Sequence, residues 1–361
     1  MPVQIAGFRS KACAAMEDYM KNRVLVSSGV TVAVCACLIL GSAGCSKPTE
    51  SAGPVLQESK APDLTKPSLL VELPDYCNTP DGMCLLADNS VVISIPNFND
   101  VSVPPLLMRL TPDNKAEPFY RFPTPYPGLE KGSDRIGPMG ISRDPVTGNL
   151  YLADNQFAPD KPQKSRLWKL VVKDGKVEKM VLVASGFNIA NGTAVRDGYV
   201  YITESTLDPV YNPTMRSAVM RFKLDEEQVV LKTPLAEDPH IVATFESREK
   251  QWPFGADGIT FDRHGNLYIG VFSDGVLYKV VFDADGKVKS ADVFAKAHGA
   301  MLSCDGMSCD SRTGIIYLAD CAGNAVHKIH SDGRVETIAR NDDVPDVAAK
   351  LKAKLAGLVK E

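Results

Sequence analysis

The chain has 361 residues, 44% hydrophobic and 23% charged, with a formal net charge of −4. This is ordinary globular composition, and the length allows one large all-β domain or two smaller ones. No basic excess is present, which argues against nucleic acid as a partner.

Residues 1–45 read as an export leader. Met20-Lys-Asn-Arg23 is positive, Val24 to Leu40 is apolar, and Gly41-Ser-Ala-Gly-Cys45 follows. The apolar run is too short to be read as a membrane span. Small residues followed by Cys resemble a bacterial lipoprotein cleavage site, which makes Cys45 the expected lipid-bearing first residue. A plain secretory signal or an uncleaved anchor is the alternative. Met20 reads as the true start, because Met1 to Tyr19 is long for a leader and holds Glu17 and Asp18. The expected location is the bacterial cell envelope, periplasm-facing or secreted, with membrane contact through the lipid alone. Residues 46–66 are polar and Pro-rich and read as a flexible tether. Ser68-Leu-Leu-Val-Glu-Leu73 reads as a short strand that completes a blade made by the other terminus.

From here one unit recurs, a short strand, a tight turn and a second strand. Its first strands begin near residues 81, 139, 191, 257 and 305. Phe254-Gly-Ala-Asp-Gly-Ile-Thr-Phe-Asp-Arg-His-Gly-Asn-Leu-Tyr-Ile-Gly270 shows it most clearly. Third strands are expected at Leu106 to Leu110, Leu167 to Val172, Ala218 to Leu224, Gly275 to Phe282 and Ala325 to Ile329. Fourth strands are expected at Ala116 to Phe122, Met180 to Ala184, His240 to Phe245, Ala291 to Phe294 and Arg334 to Ala339. Asp-Gly and Asp-Asn pairs stand at the turns, where tight hairpins need them. Four strands repeated at roughly 40–50 residues are the mark of propeller blades. The expected fold is therefore an all-β propeller of four-stranded blades over residues 67–342, with five repeats counted. Pro123 to Ile136, Phe157 to Ser165 and Leu207 to Arg216 are candidate loops over a pocket mouth, or simple surface insertions.

Residues 343–361 differ. Val347, Leu351, Leu355, Leu358 and Val359 recur at helical spacing among Lys350, Lys352, Lys354 and Lys360. A short amphipathic helix is expected, packed on the propeller's side or, as the alternative, in contact with a membrane or a partner.

In a propeller the first strand of each blade lines the central channel. Asp81, Asn191, Asp257 and Asp305 stand at the starts of those strands. Oxygen donors converging from several blades suit a hard divalent cation, Ca²⁺ above all. The alternative is that an Asp before Gly only caps its own turn. His264 reads as a solvated turn residue, and His298 as a loop residue near the channel mouth. Cys77, Cys84, Cys304, Cys309 and Cys321 lie outside the leader. Cys84 and Cys309 read as small buried thiols, and a Cys77–Cys304 bridge is open by position because export permits disulfides.

Two segments carry a family resemblance. Phe187-Asn-Ile-Ala-Asn-Gly-Thr-Ala-Val195 and Gly255-Ala-Asp-Gly-Ile-Thr-Phe-Asp262 resemble the metal-site motifs of the gluconolactonase, senescence-marker-protein and luciferin-regenerating-enzyme family, itself similar to diisopropyl-fluorophosphatase and paraoxonase propellers. The resemblance implies six blades and a catalytic divalent cation. It implies Asn191 as a metal ligand, Asp257 as ligand and general base, and Asp81 in the place of a first-blade acid. Asp81 is a methylene shorter than the Glu usual there, and Gly137-Pro-Met-Gly140 offers no side-chain oxygen where another ligand often stands. The implied activity is hydrolysis of a lactone, with a small-molecule substrate and a monomeric chain. A non-catalytic envelope propeller that binds a ligand or protein is the alternative.

Overall fold

The computed structural model describes residues 70–156, 163–207, 214–249, 254–297 and 299–340. The leader with Cys45, the tether, the C-terminal segment, His298 and parts of two candidate pocket loops lie outside these residues.

Among the described residues there are twenty-one strands, of which twenty form five antiparallel four-stranded meanders. Blade one is β1 (Met83–Leu85), β2 (Val91–Ile95), β3 (Leu106–Leu110) and β4 (Ala116–Arg121). Blade two is β5 (Pro138–Arg143), β6 (Leu150–Asp154), β7 (Ser165–Lys173) and β8 (Lys176–Phe187). Blade three is β9 (Ala190–Arg196), β10 (Tyr199–Glu204), β11 (Met215–Lys223) and, after an excursion, β13 (Ile241–Ser247). The excursion holds β12 (Val229–Val230), which adds to β8 in parallel. Blade four is β14 (Ala256–Phe261), β15 (Leu267–Val271), β16 (Val276–Phe282) and β17 (Val288–Lys296). Blade five is β18 (Met307–Cys309), β19 (Ile316–Asp320), β20 (Ala325–Ile329) and β21 (Val335–Arg340). The described chain is a five-bladed β-propeller, not the six-bladed one the resemblance implies.

Burial explains why the strands read as they do. Every residue of β2, β6 and β15 is buried. A sheet covered on both faces needs apolar residues on both, so these strands are apolar on both faces apart from Ser94 and Asp154. The outermost strands β4 and β17 mix exposed and half-buried positions. The core is a series of walls between blades. Val92 and Leu107 meet Ile141, Leu152 and Trp168 between blades one and two. Tyr151 and Leu167 meet Val200 and Met220 between blades two and three. Val219 meets Ile259 and Ile269 between blades three and four, and Tyr268 and Leu277 meet Ile316 and Leu318 between blades four and five. The Asp174-Gly175 and Asp197-Gly198 turns have positive φ at both residues, which a two-residue hairpin of this hand requires.

Three expectations change here. Leu70 to Leu73 form no strand. All five blades draw four strands from their own repeats, so none needs completing. Leu70, Val71 and Leu73 instead cover the outer wall of blade one, against Ile93, Leu106 and Met108. Pro123 to Ile136 is no simple surface insertion, since Tyr126 and Leu129 pack into the wall between blades one and two. Cys77 and Cys304 are separate buried thiols, not a disulfide, and Cys84 and Cys309 are half-buried rather than buried.

A buried ion pair anchors blade two. Arg166 Nη1 lies 2.7 Å from Asp154 Oδ2, with Asp154 fully buried. Asp154 also accepts from Trp168 Nε1 at 3.0 Å and from the Gly137 amide at 2.8 Å. Asp154→Ala leaves a buried guanidinium and three donors, the Gly137 amide, Trp168 Nε1 and Gln156 Nε2, without this acceptor. An unfolding loss of about 3–5 kcal/mol is expected in a urea titration.

Candidate functional site

The same dipeptide position recurs on all five inner strands: Asp81-Gly82, Met139-Gly140, Asn191-Gly192, Asp257-Gly258 and Asp305-Gly306. The glycines are required by close approach. A side chain at Gly82 would collide with the Met139 carbonyl, at Gly140 with that of Asn191, at Gly192 with that of Asp257, and at Gly258 with that of Asp305. Each of the first four inner strands thus presses its glycine against the backbone of the next. This sets the five preceding residues at one level around the axis.

Asn191 and Asp257 are neighbours in this ring and are only 7% and 6% exposed. Hydroxyls from β10 fix their register. Thr203 Oγ1 donates to the Asp257 carbonyl at 2.7 Å and accepts from the Gly192 amide at 2.7 Å. Ser205 Oγ donates to the Ala256 carbonyl at 2.7 Å, and the Gly255 amide donates to the Ser205 carbonyl at 2.8 Å. One strand therefore clamps the inner strands of blades three and four together at the level of both residues.

The other ring members differ. Met139 is buried and apolar, and separates Asp81 from Asn191 around the ring. Asp81 and Asp305 are half-buried. Asp305 Oδ1 accepts from the Gly306 amide at 2.8 Å, the turn-capping contact weighed above for Asp before Gly. Among the described residues, no three His, Cys, Asp or Glu side chains gather closely enough to hold an ion. The structure thus sets Asn191 and Asp257 side by side, with Asp305 next along and Asp81 apart. The donors are oxygen only, which suits a hard cation. Asn191 and Asp257 fit Ca²⁺ as one side of its shell, since that ion takes water for the remainder.

Glu204 was not singled out from the sequence. It lies between Thr203 and Ser205, is fully buried, and accepts from the amides of Asn188 at 2.7 Å, Ile189 at 2.9 Å and Thr206 at 3.0 Å. Burial pushes its carboxyl up to about 7, even against those three donors. Its signal was positional. The same place at the end of the second strand holds Asp154 in blade two and Asp320 in blade five. Each ties down the loop before its inner strand. Asp154 has Arg166 and Asp320 has His327 at 3.1 Å, whereas the contacts shown for Glu204 are all backbone amides.

An acid whose carboxyl is raised from 4.5 to about 7 on folding carries no penalty below pH 4.5, a growing one up to pH 7, and a constant one above. Stability should therefore fall across that window, by on the order of 3 kcal/mol from this group. In Glu204→Gln that part of the slope should vanish. Urea midpoints at pH 5 and pH 8 check it.

No protein-family model matches the sequence, and no curated protein matches it. Solved structures do align with it. A gluconolactonase from Xanthomonas campestris is 15% identical, with 72% of this chain and 74% of that one covered and a TM-score of 0.45. The calcium-binding protein regucalcin from Agrobacterium tumefaciens is 14% identical, with 75% and 76% covered and a TM-score of 0.46. Virginiamycin B lyase from Staphylococcus aureus is 14% identical, with 72% and 69% covered and a TM-score of 0.43. Hydrolase, calcium-binding protein and lyase stand equally near. Likeness at this level decides no activity. The propeller itself is read from its own sheets.

Proposed function

We propose that the protein is a divalent-cation-dependent hydrolase of the lactonase type, exported and held to the membrane through a lipid on Cys45. The observation that carries the reading is the pairing of Asn191 and Asp257. Both are buried, both sit at one level on adjoining inner strands, and Thr203 locks that register. Two oxygen donors of this kind in an axial channel suit a Ca²⁺ site. A bound ion there would polarise a lactone carbonyl and favour the oxyanion formed when water adds. Asp257 would supply the carboxylate that takes the proton from that water. Ring opening then yields a hydroxy acid. The substrate is a small molecule, and the chain acts as a monomer.

The test is hydrolysis of a panel of sugar and aliphatic lactones by the full-length protein before and after chelation. Turnover that stops with chelator and returns with Ca²⁺ is the expected result. No turnover of any lactone at saturating Ca²⁺ would sink the hydrolase reading. A second reading, a ligand-binding propeller without chemistry, is favoured by one feature. Met139 gives blade two no oxygen, and the Asp305 carboxylate is turned onto its own backbone. Binding of a lactone without turnover would select it.

A further inference from the structure

A second concave site lies away from the channel. Tyr199, Arg221, Lys223, Glu226, His240 and Lys287 line a cleft of about 360 Å³ between blades three and four. That is the size of a small-ligand site. β9 carries Asn191 near its start and ends at Arg196, which pairs with Tyr199. β14 carries Asp257 near its start, and its far end, Phe261, pairs with Leu267, which pairs in turn with Val280 near the β16–β17 turn. The cleft therefore opens at the opposite ends of these blades from Asn191 and Asp257.

Its walls are fixed in place. The Arg221 guanidinium lies 5.0 Å from the centre of the Tyr199 ring, and its Nη1 donates to the Gly286 carbonyl of blade four at 2.9 Å. One side chain of blade three thus reaches across to the neighbouring turn. The His240 ring stacks on Phe222 at 4.5 Å, and its Nδ1 lies 2.8 Å from Asp238 Oδ1.

The charge of the lining is one-sided. Arg221, Lys223 and Lys287 make no ion pair among the described residues. The lining holds one carboxylate, Glu226, whose Oε2 accepts from the Lys223 amide at 2.6 Å. Nearby acids are engaged elsewhere. Asp197 pairs with Arg196 at 3.0 Å and Glu227 with Lys169 at 2.8 Å, while Asp283 accepts from amides of its own turn. Three cations therefore face one concavity without acid partners. A guanidinium held flat against an aromatic ring presents its donors as a fixed fork, which matches carboxylate and phosphate oxygens.

We propose that this cleft binds a small-molecule oxyanion, a phosphate or carboxylate group, with Arg221 as its anchor and Lys223 and Lys287 as flanking charges. The site is separate from the channel and does not depend on a cation there.

The test is calorimetric titration of the full-length protein with inorganic phosphate and with malonate, at an ionic strength held constant with chloride. Saturable binding of one anion per chain is expected. Arg221→Lys keeps the charge but loses the fork, and should weaken binding at least tenfold. Lys223→Gln/Lys287→Gln should weaken it by about tenfold and leave the melt near that of the wild type. Asp257→Ala should bind the anion as the wild type does. Binding of phosphate alone would assign the site to phosphate-bearing molecules, and binding of malonate alone to carboxylates. No saturable binding of either anion would overturn the proposal. So would loss of binding in Asp257→Ala, which would put the anion in the channel. Should Arg221→Lys fail to fold, the lysine pair decides alone. Unchanged affinity in that variant would leave Arg221 as a latch between blades and nothing more.

Discussion

Asp257→Ala is expected to abolish both lactone turnover and the Ca²⁺-dependent rise in melting temperature. An ion that binds only the native state stabilises it by about 2.7 kcal/mol at a concentration of 100 Kd. For a domain of this size that is a rise of roughly 5 °C or more. In the alanine variant the rise should be absent, and kcat should fall to the level of the buffer. Asn191→Ala should lose the ion-dependent rise as well, because it removes the neighbouring oxygen. Asp81→Ala gives a contrast. Met139 stands between Asp81 and Asn191 around the ring, so its effect on the melt should be the smaller one. An equal loss in all three variants would show that the ligand shell reaches across blade two.

The second large effect concerns the glycines. Gly192→Ala is expected to destabilise the fold by about 2–4 kcal/mol, at the upper end of overpacking costs. Its new methyl would press on the Asp257 carbonyl, on Ile259 and on Thr203 Oγ1. The Thr203 hydroxyl bridges the Gly192 amide and the Asp257 carbonyl. The substitution should therefore separate Asn191 from Asp257 and weaken ion binding together with stability. Gly306→Ala places the same methyl at the same repeat position, where no described residue lies within 4 Å. Its cost should lie within about 0.5 kcal/mol. Urea unfolding of the two variants side by side reads the difference directly. Equal costs would mean that Gly306 is packed as closely as Gly192.

Much of this architecture was legible because it is repeated. A single Asp-Gly says little. Five X-Gly positions, each before an apolar strand and a tight turn, say that five side chains share one level. The third strand of blade one and that of blade five fall at Leu106–Leu110 and Ala325–Ile329, as their apolar runs indicate. Less regular features were not legible. β12 is two residues long and joins β8 from some forty positions away, so no local pattern marks it. Leu70 to Leu73 has the composition of a strand, but composition cannot tell a residue that pairs from one that covers a face. The clamp by Thr203 and Ser205 depends on which blade lies next door, which only the fold supplies. Glu204 stood in plain view as the third member of the series Asp154, Glu204, Asp320. Comparing the ends of the second strands, and not only the starts of the first, would have found it.

The central claim is that Asn191 and Asp257 form one side of a cation site in the channel. Equilibrium dialysis of the full-length protein against radioactive calcium tests it most directly. One ion per chain, lost in Asp257→Ala while that variant keeps its wild-type circular dichroism, is the result this account expects. No bound ion at millimolar calcium, or one ion retained by a folded Asp257→Ala, would contradict it.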